Sequence, residues 1–322
     1  MEELIISPVK HHQSLNQSSD IAFIKSNTEA VSINHLMSDC IIPVFAKDNI
    51  AATSHLDFIE TAAEVVSHYF KGEDILLPAI RVSHEVKGRI NEAIRKPVNE
   101  LQDFEKTLYY ERLAFIIEIP SISYNVGGNK LALTIGGVRS YNLENLYGKK
   151  TEEKFKVFIG FQNKVCLNLC ISTDGFKSEL KARTLNELGE GIFDMIRAFN
   201  FERQLMILES MPNYYITEKQ FAQLIGKLRM YQFMPIDLKK GIPNIMISDS
   251  QINQVVKEYY LDKNFNRNED GSIDLWSLYN LFTEANKSSY IDSFLNRSVN
   301  ATDLILHLID ALKEDEYSWY LN

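Results

Sequence analysis

Few residues in this chain invite a chemical reading. Cys166-Leu167-Asn168-Leu169-Cys170 sets two thiols four positions apart. A strand would carry both on one face, about 13 Å apart at its usual rise. That is too far for a disulfide or a shared tetrahedral metal. The pair reads as packing, and Asn168 between them reads as a structural hydrogen bonder or a site residue. His84, Lys87 and Arg89 could form an anion-binding or acid–base group, although no nucleophile or metal partner accompanies them in sequence. Asn266 to Ser277 imitates a calcium loop, with Asn268, Asp270, Gly271 and Ile273 in register. Its last position is Ser277, where a bidentate Glu is needed. The blander reading is a turn at Asp270-Gly271 with Asp274 capping the next helix. Phosphate-loop, dinucleotide, nucleophile-elbow and zinc-protease motifs are all missing. No catalytic residue, metal ligand or cofactor is therefore assigned.

Charge supplies a second kind of site. The chain has 322 residues and a formal charge of −9, which argues against a protein coated on nucleic acid if the charge is even. It is not even. Residues 130–183 hold ten basic and five acidic side chains, whereas residues 250–322 hold six basic and twelve acidic ones. Arg139, Lys156, Lys164, Lys177, Lys181 and Arg183 could meet phosphates, with Asn163 and Asn168 as hydrogen bonders and nearby aromatics to stack bases. A solvated sheet face is the plainer account of the same charges. Asn280 and Lys287 belong to a polar ridge, Asn280 to Ser288, that continues past an apolar helix face and could meet a ligand or partner.

These residues need elements to position them. Residues 1–48 are rich in Ser, Asn and Gln and read as a flexible arm, with a short strand near residues 41–45. A helix is expected from Ser54 to Phe70, where apolar residues recur at three- and four-residue steps and Gly72 stops them. From 109 to 182 the period becomes two. Strands are expected around 113–119, 131–135, 155–161 and 165–171, with turns at Asn125–Asn129 and Thr173–Gly175. That is an antiparallel meander. After 183 the pattern is helical. Helices are expected from Thr184, from Thr217 to near Pro235, over 250–261, over 274–285, and after Asn300. Strands then helices in segregated blocks define an α+β fold. The division is an arm over 1–48, a helix-plus-sheet region over 49–183 and a helical region over 184–322, with 49–322 as one domain the alternative.

Three cysteines are too few and too odd for a disulfide framework, and no targeting segment or membrane span is legible, so a cytoplasmic location is expected.

Three stretches carry a family likeness. They are Phe155–Cys170, Ile216–Gly226 and Leu275–Asp292. The chain resembles an uncharacterised bacterial domain-of-unknown-function family over roughly residues 40–322. The strand with Cys-x-Asn and the helix with Tyr279-Asn280-x-x-Thr283 also look like the phage/plasmid-like protein group of mobile elements. The resemblance implies a bacterial mobile-element setting and no mechanism. The expected function is a DNA-binding accessory protein, single strands included. Two alternatives stand beside it. One is an enzyme with a site around His84, Asn168 and the ridge from Asn280 to Lys287. The other is a protein–protein interaction module, such as an inhibitor of host defence, with a host or element-encoded partner.

Overall fold

Apolar residues at both parities dominate 113–119 and 131–138, so a strand there must bury both faces, and the architecture does so. The computed structural model describes residues 22–40, 52–143, 152–314 and 317–322. In chain order the elements begin with β1 (Glu29–Val31), α1 (Ile33–Ser38), α2 (His55–Tyr69), β2 (Ala79–Val82) and β3 (Glu85–Arg89). Then come β4 (Lys106–Tyr110), β5 (Arg112–Val126), β6 (Asn129–Ser140), β7 (Glu153–Asn163), β8 (Leu169–Cys170) and β9 (Phe176–Ala182). The helical part follows: α3 (Leu185–Ala198), α4 (Phe201–Ser210), β10 (Tyr215–Ile216), α5 (Glu218–Phe233), α6 (Asp249–Leu261), β11 (Ile273–Asp274), α7 (Leu275–Asn286) and α8 (Ile291–Glu314).

The main sheet has seven antiparallel strands in the order β1-β2-β5-β6-β7, with β8 and β9 following one another along the far edge of β7. The β5–β6 hairpin turns at Gly127 and Gly128, whose φ values of 54° and 78° suit a two-residue primed turn. The register of this hairpin slips between Ile119 and Ser123, where Pro120 cannot donate to the ladder. One face of the sheet packs on α2 and α3. Phe58 meets Phe115 edge-on at 5.0 Å and Phe155 at 4.9 Å. The other face, with Ala114, Ile116, Val138 and Phe158, lies under Phe23, Ile24 and the first turns of α8, where Ile291, Phe294 and Leu295 are buried. Burial on both faces removes the solvated sheet surface that an exposed meander would present.

The fold is the expected α+β arrangement of a central antiparallel sheet and C-terminal helices. Several elements differ from expectation. The arm is structured over 22–40. β1 pairs with β2, and His35 bonds Tyr110 Oη at 2.9 Å. Burial of Phe23 and Ile24 against α8 accounts for that order. The strand expected near 41–45 lies outside the described residues. The strand expected over 165–171 shrinks to two residues, because Lys164–Cys166 form a turn and Leu167 takes a positive φ of 60°. Cys166 and Cys170 therefore do not share a strand face. The last helix starts at Ile291, well before Asn300. Ser54 and Thr217 each close a full capping box. Thr184 accepts from Glu187 N, but the Glu187 carboxylate reaches back to Arg183 N instead of the cap residue.

Candidate functional site

The structure brings four of the candidate residues together. The turn after β7 is held to α7 by a buried polar clamp. Asn163 Nδ2 donates to Asn280 Oδ1 at 3.0 Å, and Asn168 Nδ2 donates to Asn280 O at 3.0 Å. Asn280 Nδ2 donates to Trp276 O at 2.9 Å, so the side chain is braced on its own helix. Cys166 Sγ lies 3.6 Å from Asn280 Oδ1. Burial pushes its thiol up to about 11, the opposite of what a nucleophile needs. Lys287 is 2% exposed, donates to Cys166 O and pairs with Glu284 at 2.7 Å. Glu284 also holds Lys25 at 2.7 Å. Burial pulls the Lys287 amine below its ordinary range, and the Glu284 carboxylate counters it. Asn168 Oδ1 is buried without a donor among the described residues. This geometry ties a turn, a helix and the N-terminal segment into one unit.

The basic candidates separate. Arg139 is 1% exposed and pairs with Glu153 while its guanidinium stacks 4.6 Å over Phe155. A phosphate cannot reach it in this arrangement, because the pair sits under the α2 end of the sheet. Lys156 donates to Asp292 O at 2.5 Å and to Asn296 Oδ1 at 2.7 Å, and burial pulls its pKa down. Lys164 pairs with Glu118 at 2.7 Å. Lys177 donates to Gly191 O at 3.2 Å, and Arg183 pairs with Glu152 at 3.1 Å. Lys181, on the outer strand β9, is exposed. Most of the basic excess over 130–183 is thus engaged within the fold. His84 and Lys87 lie exposed at the start of the β3–β4 ribbon, and Arg89 donates to Lys96 O. They do not join the clamp. In the calcium-like loop, Asp270 accepts from Ser272 N at 2.9 Å and Asp274 caps α7 through Ser277 N at 2.8 Å. Both carboxylates serve the turn and the cap.

A surface feature escaped the sequence reading. Met230 and Phe233 share one face at the end of α5, and Ile236 and Leu238 follow in the turn after Pro235. Phe233 is 85% and Ile236 82% exposed, with Met230 and Leu238 also largely exposed. Lys227, Arg229, Lys239 and Lys240 flank them; Arg229 pairs with Asp249 at 3.1 Å and Lys240 with Asp237 at 3.7 Å, which leaves Lys227 and Lys239 as the rim's excess charge. The Lys227 amine sits 4.6 Å over the Trp319 ring and Lys239 4.6 Å over Tyr231, which fixes those cations at the rim. The signal was available as a run of apolar residues off the periodic face of α5, but a helix-ending Pro and core packing explained it equally well.

Fold and site together define an α+β protein with a two-sided sheet, a buried polar clamp and an apolar ridge with a cationic rim. The chain belongs to the family described as "Domain of unknown function, B. Theta Gene description (DUF3871)", whose model matches residues 2–321. Neither a curated protein nor a solved structure matches it. No described helix is long and apolar enough to cross a membrane.

Proposed function

We propose that this protein is an interaction module that docks an acidic, partly apolar segment of another protein on the ridge from Met230 to Leu238. The observation that carries the reading is the near-complete exposure of Phe233 and Ile236 beside Met230 and Leu238. Clustered exposure of that kind marks recognition surfaces. The rim charge sets the partner's sign. A two-fold dimer through this surface would set like charges against each other, so a second copy is disfavoured. The setting that accompanies the reading is a bacterial cytoplasm and mobile-element biology, as the sequence resemblance implies.

A photo-cross-linking benzoylphenylalanine in place of Phe233, in the full chain within the producing cells, tests it. A control carries the same group at exposed Met206. The expected result is a discrete adduct from position 233 whose cross-linked segment is acidic and apolar. Adducts identical from both positions, or none from 233, would refute the reading.

Nucleic-acid contact is the second reading. Exposed Lys181 on β9 favours it; Lys154 on the adjoining β7 and Arg183 just past β9 lie nearby, paired with Glu179 and Glu152. Lysines on an edge strand also block sheet-to-sheet aggregation. Fluorescence polarisation with labelled single- and double-stranded oligonucleotides at two salt concentrations separates the two. Binding at about 50 mM salt that Lys181→Glu abolishes supports nucleic acid, and no binding there sinks it.

A further inference from the structure

β3 and β4 continue the pairing of β2 with β5 without a slip. Val82 faces Leu113, and three residues further on Glu85 faces Tyr110. Ser83 N donates to Arg112 O at 3.0 Å and carries the ladder across the gap. β2 and β5 are flanked by β1 and β6. Among the described residues, β3 and β4 pair only with each other and, at Leu108, with Cys40. The ribbon therefore runs past the sheet from Val82 to Arg89, roughly 20 Å at the usual rise of a strand. A lone two-stranded ribbon is marginal in water unless it packs on something.

The tip of this ribbon is nevertheless well built. Residues 90–105 fold back on themselves. Ile90 N donates to Glu105 O at 3.0 Å, and the Glu105 carboxylate accepts from Gln102 N at 2.9 Å and pairs with Lys96. Arg89 donates to Lys96 O, and Ala93 and Glu105 are buried inside the turn. Around this frame Val98 is 72% and Phe104 74% exposed, and Ile94 is largely exposed too. Apolar side chains held outward on an ordered support mark a contact surface and need little further ordering on association.

Charge selects the occupant. Residues 85–106 hold five basic and five acidic side chains, so the ribbon has no net field to attract a phosphate backbone. Lys87 pairs with Glu85, Lys96 with Glu105 and Lys106 with Asp103. Arg95, Glu92 and Glu100 remain exposed at the tip, with no ion pair among the described residues. Free charges of both signs beside one apolar patch make that patch complementary to itself. A two-fold contact then sets each arginine against a carboxylate of the other copy. The α5 ridge lacks this property, because its excess charges are both cationic.

We propose that the ribbon tips of two copies of this chain pack on each other about a two-fold axis, with Ile94, Val98 and Phe104 as the shared apolar patch and Arg95 of each copy against Glu100 of the other. The contact is at the small end of specific interfaces, so the dimer dissociates in the micromolar range. It leaves both α5 ridges free and does not rest on the docking reading.

Sedimentation velocity of the full chain from about 1 to 200 μM tests it. The expected result is a monomer that becomes a dimer within this range. Val98→Ser combined with Phe104→Ser should raise the dissociation constant roughly tenfold or more. Arg95→Glu alone should weaken the dimer as well, and Arg95→Glu combined with Glu100→Arg should restore it to within about threefold of the natural chain. A monomer at every concentration overturns the proposal, as does a dimer that the Val98 and Phe104 substitutions leave unchanged. Loss with Arg95→Glu that the charge exchange does not repair overturns the Arg95–Glu100 pairing. A dimer that Phe233→Ser abolishes would sit on the α5 ridge and overturns the proposal too. The concentration series on the natural chain needs no variant, and thermal midpoints confirm that each variant is folded. A monomeric result leaves the docking reading untouched, because that reading concerns a different surface.

Discussion

Asn280 makes the clamp, and its consequences can be measured one atom at a time. Asn280→Ala strands the Asn163 Nδ2 donor in a buried site, because it loses the only acceptor it has among the described residues. It also frees Trp276 O. An unsatisfied buried donor costs about 1–3 kcal/mol, so the urea midpoint should fall by the corresponding amount with an unchanged slope. His55 gives a pH test. It is buried, stacks on Tyr141 at 4.3 Å and donates from Nε2 to Tyr110 O at 2.8 Å. Nδ1 has no partner. Burial first, then the Arg139 charge, pushes its pKa down to about 3 from an ordinary 6.5. Between those values the unfolded chain takes up a proton that the folded chain refuses, so stability falls as pH falls through this window. It is insensitive to this group above the upper value. The contribution is at most about 1.4 kcal/mol per pH unit. Urea midpoints at pH 7, 6 and 5 should fall more steeply for the natural chain than for His55→Gln.

At the level of elements, close approach of backbone and ring decides the sheet–helix contact. A Cβ at Gly137 would lie 2.5 Å from Phe58 Cζ and 2.9 Å from Lys156 O. Gly137→Ala must therefore push α2 away from the sheet. Overpacking of that kind costs about 1–3 kcal/mol, visible as a lower thermal midpoint and faster amide exchange in α2. Elements with a local signal were legible. Ser54 and Thr217 announce α2 and α5, because caps act within one turn. β5, β6 and β7 follow from period two and the Gly-Gly turn. β1, with three residues, was not legible, and the strand read over 165–171 shrank to the two residues of β8. Strands that short exist only because a neighbouring strand offers a free edge. α4 went unread because its buried set is only Gln204, Leu205 and Leu208.

Across the whole molecule, the difference between core and ridge makes opposite predictions for similar residues. Phe294 is buried between α8 and the outer sheet face, so Phe294→Ala should cost about 3–5 kcal/mol. Phe233 is almost fully exposed, so Phe233→Ser should change stability by no more than about 0.5 kcal/mol. Denaturant unfolding of both variants checks the pair. A large loss at Phe233 would mean that the ridge is packing surface and not a docking face.

The amino-acid sequence by itself determined the α+β class, the caps, the Gly-Gly turn and the polar types that meet at the clamp. All of these act over a few residues or through one periodicity. The tertiary structure decided which charges stay available. Arg139, Lys156 and Lys164 look alike in sequence to Lys181, yet Glu153, Asn296 and Glu118 reach the first three from distant positions. It also decided that Asn163 and Asn168 meet Asn280, more than a hundred residues away. Partners separated by that much chain have no common period or spacing to betray them, so only packing brings them together.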